Sequence, residues 1–261
     1  IECDRVASPS PHSQRTTAAP LCFDCRRNLP WWRRVDGCPR CGFRPLATSR
    51  SRVGQSEDDT DPFSRDTGAC PGCLSSGSAL HVCRSVVRYE GSVRRWIPAF
   101  KQGVGFGRPF GPPALVARSI AFLSDALAKN LCRESSPEVE LIMSLPLHPS
   151  RRRARGFNHV DPIAGRLAQS LQIKWQRDGL ERSRDTPPQA SLTGAIRREN
   201  MRGAFKCNRQ FDPGVRIGLV DDVLTTGSTL EAAADVLLEA GALEVYGFTL
   251  AATLPKRRPT P

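Results

Sequence analysis

Two adjacent carboxylates and a run of hydroxyl side chains stand between an apolar segment and a helical pattern. Asp221 and Asp222 follow the apolar segment, and residues 225–229 read Thr-Thr-Gly-Ser-Thr. A loop that opens a helix favours a phosphate, because its backbone N–H groups lack intrahelical acceptors and the helix dipole is positive there. Carboxylates beside such a loop suit the vicinal hydroxyls of a sugar. The pattern therefore predicts a sugar-phosphate site, with Gly227 able to adopt the positive φ of a tight loop.

A buried strand and the helix behind the loop must position these groups. Ile217, Leu219 and Val220 form the short apolar run typical of a parallel strand that helices cover on both faces. Residues 230–240 repeat apolar side chains at helical spacing, and Gly241 ends this helix. Ligands of open α/β sheets bind outside the carboxyl ends of the strands, so the loop is expected at that edge. The candidate ribose- and phosphate-binding residues are Val223, Leu224, Thr225, Thr226, Gly227, Ser228 and Thr229.

A second candidate group follows the preceding predicted strand, at residues 138–146. Four arginines lie between Arg151 and Arg155, shortly after His148. Arginines at the carboxyl end of a buried strand favour an anion, and a solvated basic face is the alternative. His148 or His159 could act as a general base, although loop histidines are more often surface residues. His148, Arg151 and Arg155 are therefore the candidates for the pyrophosphate side of a ligand.

Paired cysteines in the N-terminal part predict structural zinc. Cys22 and Cys25 form one Cys-x-x-Cys pair, and Cys38 and Cys41 form a second one after twelve residues. Each pair can bring two thiolates to one tetrahedral Zn²⁺ from a tight turn, which is the spacing of a zinc ribbon. The segment at residues 29–32 between the pairs is expected to fill the small core of the ribbon.

A third pair, Cys70 and Cys73, needs partners from elsewhere in the chain. One possible set is Cys3 with a cysteine that precedes the given sequence, and the other is His81 with Cys83. We favour the first set, because an additional upstream cysteine would complete a fourth Cys-x-x-Cys pair. Two isolated cysteines, at positions 132 and 207, have no neighbours of ligand type and are expected in the core.

Composition limits the class of protein. At 261 residues, of which 39% are hydrophobic, the chain can hold one α/β domain and a small appendage. No run approaches the roughly 20 apolar residues of a membrane span, so we expect a protein without a membrane segment. The formal charge of +12 favours anionic partners. No signal peptide is visible, and six of ten cysteines lie in pairs, which favours metal binding in a reducing cytoplasm over disulfides.

The remaining pattern predicts alternating strands and helices in two units. A zinc-ribbon domain is expected over residues 1–85, with a disordered insertion at 44–69, and an α/β domain over 86–261. Because the sequence begins with Ile1 rather than Met, we also expect residues upstream. The predicted elements are a strand from 82, helices at 92–101, 114–131 and 158–171, strands at 138–146 and 246–253, a glycine-rich loop at 103–111 and a mobile flap at 182–205.

Several motifs together resemble one family. The match from Val220 to Thr229 is contiguous and resembles the phosphoribosyl-pyrophosphate signature of type I phosphoribosyltransferases, which argues against an ordinary strand-to-helix turn. With the cysteine pairs, the chain resembles the ComF family of competence-associated, phosphoribosyltransferase-like proteins with an N-terminal zinc ribbon. The other matching motifs are Pro146-Leu-His-Pro149, Arg155-Gly-Phe-Asn158, Asp185-Thr-Pro-Pro-Gln189 and Asn200-Met-Arg-Gly-Ala-Phe205.

The resemblance implies a fold and a ligand. It implies a type I phosphoribosyltransferase-like parallel sheet with helices on both faces, preceded by a small zinc-ribbon domain. It also implies that Asp221 and Asp222 hold the ribose hydroxyls, that residues 225–229 bind the 5′-phosphate, and that Mg²⁺ bridges pyrophosphate to the sugar. The long interval between Cys41 and Cys70 departs from the family pattern and leaves the second zinc site open.

Two functions from different classes fit these features. The first is an enzyme of the glycosyltransferase class, a Mg²⁺-dependent phosphoribosyltransferase linked to DNA uptake whose acceptor the sequence does not identify. The second is a non-catalytic DNA-processing adaptor that uses the zinc ribbon and the basic surface to bind a protein partner or single-stranded DNA. Aromatic residues make up only 7% of the chain, which favours a protein partner over direct base stacking.

Overall fold

The computed structural model describes residues 21–32, 38, 78–103, 114–133, 139–185 and 203–253. The strands are β1 (Leu80–Arg88), β2 (Leu141–Ser144), β3 (Lys174–Gln176), β4 (Leu180–Arg182), β5 (Phe205–Cys207), β6 (Arg216–Leu224) and β7 (Glu244–Ala252). The helices are α1 (Phe23–Arg27), α2 (Val93–Gly103), α3 (Ala114–Arg133), α4 (Pro149–Arg155), α5 (Asp161–Leu171) and α6 (Ser228–Glu239).

Five parallel strands form the central sheet in the order β1-β7-β6-β2-β3. The central strands β6 and β7 are buried along most of their length, as their apolar sequences predict. Helices α2, α3 and α5 pack with one core cluster, and α6 packs with a second cluster that includes residues of the antiparallel pair β4 and β5. The predicted α/β fold, a parallel sheet with helices on both faces, is therefore confirmed.

The centre of the sheet is closely packed at one glycine of β6. A Cβ atom on Gly218 would lie 2.5 Å from Phe248 Cε2 and 2.7 Å from Ile142 Cδ1. Such distances are too short for non-bonded carbon atoms, so only glycine leaves room for the neighbouring side chains of β7 and β2. This packing holds β6, which carries the acidic pair, in a defined place between its two neighbours.

The N-terminal segment packs on the main domain. Trp32 N donates to Val86 O (2.9 Å) and Arg88 N donates to Pro30 O (2.7 Å), so this segment runs along the outer edge of β1. Leu29 is buried in the same core cluster as α3, and the Trp31 ring meets Phe122 edge to face at 6.1 Å. The expectation that residues 29–32 fill a separate ribbon core is therefore wrong, because the sheet offers them a larger apolar surface. The predicted domain boundary between residues 85 and 86 lies inside β1.

Most predicted elements are confirmed within a few residues, and three kinds of feature were missed. Helices α1 and α4 were not predicted, because they have only five and seven residues, and those of α4 are mostly arginines without an apolar face. Strands β3, β4 and β5 have three residues each, which is too short for an alternating pattern. Cys132 is exposed at the end of α3, so its predicted place in the core is wrong, and Cys207 is half-buried.

Several predictions fall outside the described residues. These are the ligand roles of Cys3, Cys41, Cys70 and Cys73, the disordered insertion at 44–69, most of the loop at 103–111, and most of the flap at 182–205. Within the described part of the chain, the helices are too short or too polar to cross a lipid bilayer.

Candidate ligand site at the carboxyl ends of β6 and β2

A tight loop joins β6 to α6 at the carboxyl edge of the sheet. Gly227 has φ +77° and is the N-cap residue of the twelve-residue helix α6. The first backbone hydrogen bond of the helix is donated by Glu231 N to Gly227 O (2.9 Å), so the N–H groups of residues 228–230, in the first turn of α6, have no acceptor within the helix. Thr226 Oγ1 and Ser228 Oγ lie 2.8 Å apart and hold the loop together. The predicted phosphate loop thus has the geometry of an anion-binding helix start.

One acidic residue in the first turn of α6 is turned away from this loop. The carboxylate of Glu231 accepts hydrogen bonds from Ser78 Oγ and from Ala79 N (2.8 Å), both in the segment just before β1. Burial raises the pKa of Glu231, and these hydrogen bonds oppose that rise. The Glu231 carboxylate, which would repel a phosphate bound at the start of α6, is therefore bound to the segment before β1.

The two carboxylates of the acidic pair have different surroundings. Asp221 is partly exposed, and its Oδ1 accepts a hydrogen bond from Asp222 N at 2.8 Å. Asp222 is buried, and its Oδ2 lies 2.6 Å from Lys101 Nζ and 3.3 Å from His159 Nε2. Burial raises the pKa of Asp221, with the Asp222 charge as the next cause. Burial also acts to raise the pKa of Asp222, but His159 and Lys101 outweigh it and lower this pKa.

His159 has a defined tautomer in this arrangement. Arg155 Nη1 lies 2.8 Å from His159 Nδ1. A guanidinium has only donors, so Nδ1 accepts this hydrogen bond and the ring proton of a neutral imidazole is on Nε2, facing Asp222. Burial lowers the pKa of His159, which agrees with a neutral ring. Arg155, a candidate for the pyrophosphate side, thus contacts the buried network through His159.

The other two pyrophosphate-side candidates meet at the start of α4. His148 Nδ1 accepts a hydrogen bond from Ser150 N (3.3 Å) and thereby caps the helix. Ser150 Oγ donates to Asp185 Oδ2 (2.8 Å), and Arg151 Nε lies 3.1 Å from Asp185 Oδ1. The hydrogen bond from Ser150 is the largest cause that lowers the pKa of Asp185. His148 and Arg151 thus contact the first residue of the predicted Asp-Thr-Pro-Pro-Gln motif.

An open groove of about 790 Å³ lies between α4 and the turn from β3 to β4. Arg177 stacks on the Trp175 ring at 4.8 Å, and Arg182 stacks on the Phe205 ring at 5.6 Å, which orients both guanidinium groups. Burial lowers the pKa of Arg182, while the nearby charge of Asp221 acts to raise it. The groove also borders Ser144, the last residue of β2. Its arginines are Arg152, Arg153, Arg177 and Arg182.

Sequence reasoning missed Lys101, although a signal was present. Lys101 lies in the last turn of α2, whose buried residues Val93, Ile97 and Phe100 lie at positions i, i+4 and i+7 of one helical face. Lys101 is at position i+8 of the same face, so its ammonium is directed toward the core. A lysine in register with an apolar stripe indicates a buried partner of opposite charge, and here that partner is Asp222.

The described cysteines fall into two groups. Cys22 is the N-cap of α1, and its Sγ accepts a hydrogen bond from Cys25 N at 3.4 Å, so the two thiols share one turn. Cys38 is buried. Burial raises the pKa of Cys83 to about 12, and His81 Nδ1 pairs with Glu244 Oε1 at 3.1 Å. The described ranges contain no cluster of three or more metal-ligating side chains.

Solved structures of two phosphoribosyl enzymes are similar to this chain. The glutamine phosphoribosylpyrophosphate amidotransferase of B. subtilis, complexed with ADP and GMP, aligns with a TM-score of 0.39 at 22% identity over 59% of this chain and 30% of its own. A hypoxanthine phosphoribosyltransferase from Staphylococcus aureus aligns with a TM-score of 0.34 at 14% identity over 54% of this chain and 67% of its own. These scores are too low to support an argument about function.

Named relatives align over most of the chain, whereas no protein-family model matches it. DNA utilization protein YhgH of Salmonella typhi is 29% identical over 236 residues, which cover 90% of this chain and 91% of the relative. Competence protein F of Haemophilus influenzae is 34% identical over 114 residues, 43% of this chain and 50% of the relative. Competence protein ComFC of Bacillus subtilis is 26% identical over 233 residues, 88% of this chain and 83% of the relative. The chain is thus a homologue of YhgH, competence protein F and ComFC, as its resemblance to the ComF family predicted.

Proposed function

We propose that this protein binds phosphoribosyl pyrophosphate, or a related ribose 5-phosphate, together with Mg²⁺ at the loop between β6 and α6. The observation that carries the proposal is Gly227 at φ +77°, between a carboxylate pair and the start of a twelve-residue helix. This loop combines the two requirements of the ligand: N–H groups for a phosphate and a carboxylate for the sugar hydroxyls. The contiguous motif from Val220 to Thr229 supports the same ligand.

The residues present fit a phosphoribosyl transfer. The N–H groups of residues 227–229 would bind the 5′-phosphate, and Asp221 would accept hydrogen bonds from the ribose hydroxyls. Mg²⁺ would supply positive charge for the pyrophosphate leaving group. Arg151 and His148, at the end of β2, would orient that group from the neighbouring strand. Binding both ends of the ligand leaves C1 of the ribose open to an acceptor, whose identity the proposal does not include.

The names of the relatives support a role in DNA uptake or DNA use. Competence protein F and DNA utilization protein YhgH carry that role in their names. The alternative function, a non-catalytic adaptor, is supported by Arg152, Arg153 and Arg177, whose exposed side chains form a basic surface for a protein partner or single-stranded DNA. We favour the ligand-binding function, because a basic surface alone does not require a positive-φ loop beside a carboxylate pair.

Calorimetric titration with phosphoribosyl pyrophosphate distinguishes the two functions. With Mg²⁺ present, we expect one ligand per chain and a dissociation constant in the micromolar range, about 1–100 μM, which is ordinary for substrates. Without Mg²⁺ the affinity is expected to fall, because the pyrophosphate charge is then less neutralised. If the protein binds single-stranded DNA or a partner but gives no heat with this ligand at millimolar concentration, the adaptor function is correct.

We also propose that Zn²⁺ holds the N-terminal segment together. Cys22 and Cys25 share one turn, with a sulfur that accepts a backbone N–H, as a metal-bound thiolate does, and Cys38 is buried. Protein purified without chelator is therefore expected to contain at least one zinc per chain by elemental analysis. Cys22→Ser should lower the zinc content, whereas Cys132→Ser, at an exposed position outside the pairs, should retain it. A folded N-terminal segment without zinc would contradict the proposal.

A further inference from the structure

A chain of four side chains connects three separate elements behind the acidic pair. Lys101 comes from α2, Asp222 from β6, and Arg155 and His159 from the end of α4 and the turn that follows it. Lys101 Nζ lies 2.6 Å from Asp222 Oδ2, His159 Nε2 lies 3.3 Å from the same oxygen, and Arg155 Nη1 donates to His159 Nδ1 at 2.8 Å. The side chains of Asp222 and His159 are 6% and 5% exposed, so water does not replace these contacts.

We infer that Asp222 acts as the buried counter-ion of Lys101, and that Asp221 is the carboxylate of the pair that faces the ligand. Lys101 and His159 are then positioning residues. The inference rests on the proposed ribose-phosphate site and assigns different roles to two adjacent acids that the sequence motif treats as equivalent. It also gives a role to Lys101, a residue outside every motif in the sequence.

Direction along the strand supports the two roles. Neighbouring side chains of a strand point to opposite faces, and Val220 and Leu219 of β6 belong to different core clusters. Asp222 is accordingly directed to the face covered by α2 and α5, where Lys101 and His159 lie. The phosphate loop leads into α6, which packs on the other face. A sugar whose phosphate lies at the start of α6 is therefore on the Asp221 side of the sheet.

Asp222 can affect the ligand through its backbone. Its N–H donates to Asp221 Oδ1 at 2.8 Å, so the peptide that carries Asp222 also orients the carboxylate of Asp221. The contacts of the Asp222 side chain with Lys101 and His159 fix the position of that peptide. A buried carboxylate without a neighbouring cation destabilises the folded protein, so Lys101 is needed for the Asp222 side chain to remain buried. Lys101 thus fixes the position of Asp222, and the Asp222 peptide in turn orients the carboxyl group of Asp221.

A stability cycle tests the first half of the inference without any ligand. Lys101→Met and Asp222→Asn are each expected to lower the Tm of the protein by about 5–15 °C, because the first leaves the buried Asp222 carboxylate without its cation and the second leaves a partly buried ammonium without its anion. The Tm of the double variant should fall by clearly less than the sum of the decreases in the two single variants, because neither charge remains. Lys129→Met, at an exposed position on α3, is the matched control and should leave Tm unchanged. Additive losses in the cycle would overturn the pairing.

Ligand binding tests the second half. The same variants are titrated with phosphoribosyl pyrophosphate and Mg²⁺. We expect Asp222→Asn to bind weakly and the Lys101→Met, Asp222→Asn double variant to return to within about threefold of the parent, because the neutral pair again supports Asp221. If the double variant recovers stability but stays as weak as Asp222→Asn, Asp222 touches the sugar and the inference is wrong. If the parent itself does not bind, the proposed function fails, and the stability cycle still decides the role of Lys101.

Discussion

Replacing Gly227 by valine is expected to remove binding of phosphoribosyl pyrophosphate, with a loss of affinity of at least about 100-fold. Gly227 has φ +77°, which a β-branched residue adopts only at a cost of about 1–2 kcal/mol, so the loop is expected to leave this conformation. The N–H groups of residues 227–229 would then no longer converge on one phosphate. Two or more hydrogen bonds to a charged group, at roughly 1.5–3 kcal/mol each, account for the expected loss. Calorimetric titration measures it directly.

The matched control is Gly214→Val. Gly214 has φ +97° and open space where a Cβ would be, in the turn that precedes β6 at the opposite end of the strand. Valine there imposes a similar backbone strain without any effect on the loop, so Tm should fall while the affinity is retained. Comparable binding by the Gly227→Val variant and the parent would show that the loop is only a structural turn.

Asp221→Asn is expected to separate the sugar from the phosphate. The affinity for phosphoribosyl pyrophosphate should fall by about 10–100-fold, because the NH₂ end of an amide cannot accept a hydrogen bond from a ribose hydroxyl as a carboxyl oxygen can, at a cost of roughly 1.5–3 kcal/mol. The affinity for inorganic phosphate should not fall, since a phosphate needs only the N–H groups of the loop.

Asp212→Asn provides the control for charge. Asp212 is exposed in the turn before β6, so this variant makes the same change of side chain far from the loop. The affinities of this variant for phosphoribosyl pyrophosphate and for inorganic phosphate should then equal those of the parent. An Asp221→Asn variant that binds the sugar phosphate and inorganic phosphate with equally reduced affinity would mean that Asp221 supports the loop but does not contact the sugar.

The motif and the loop could be predicted from the sequence because they are local. The apolar run, the acids, the glycine and the helix start are contiguous from residue 217 to 240, and the structure confirms the strand, the turn and the helix in that order. The parallel sheet was predictable for a similar reason. Strands buried on both faces have continuous apolar sequences, and the helices between them have the 3.6-residue period.

The predictions that failed concern contacts between distant segments. Residues 29–32 pack against β1 and α3, more than 50 residues away in sequence, and no local pattern distinguishes that surface from a ribbon core. The sequence also left open which partners the run of four arginines would have, and the structure places Arg155 beside His159 and Arg151 beside Asp185. Such choices depend on which side chains the fold places within about 3 Å of each other.

The sequence by itself determined the kind of fold and the succession of strand, acidic pair, tight loop and helix from β6 to α6, because periodicity, glycine and helix-start signals act over a few residues. Only the tertiary structure decided how the two acids differ. Asp221 and Asp222 are identical in type and adjacent in the chain, but the alternation of a strand turns them to opposite faces of the sheet. One face holds Lys101 and His159, 121 and 63 positions earlier in the chain (222 − 101 and 222 − 159), and burial there ties Asp222 to these two partners.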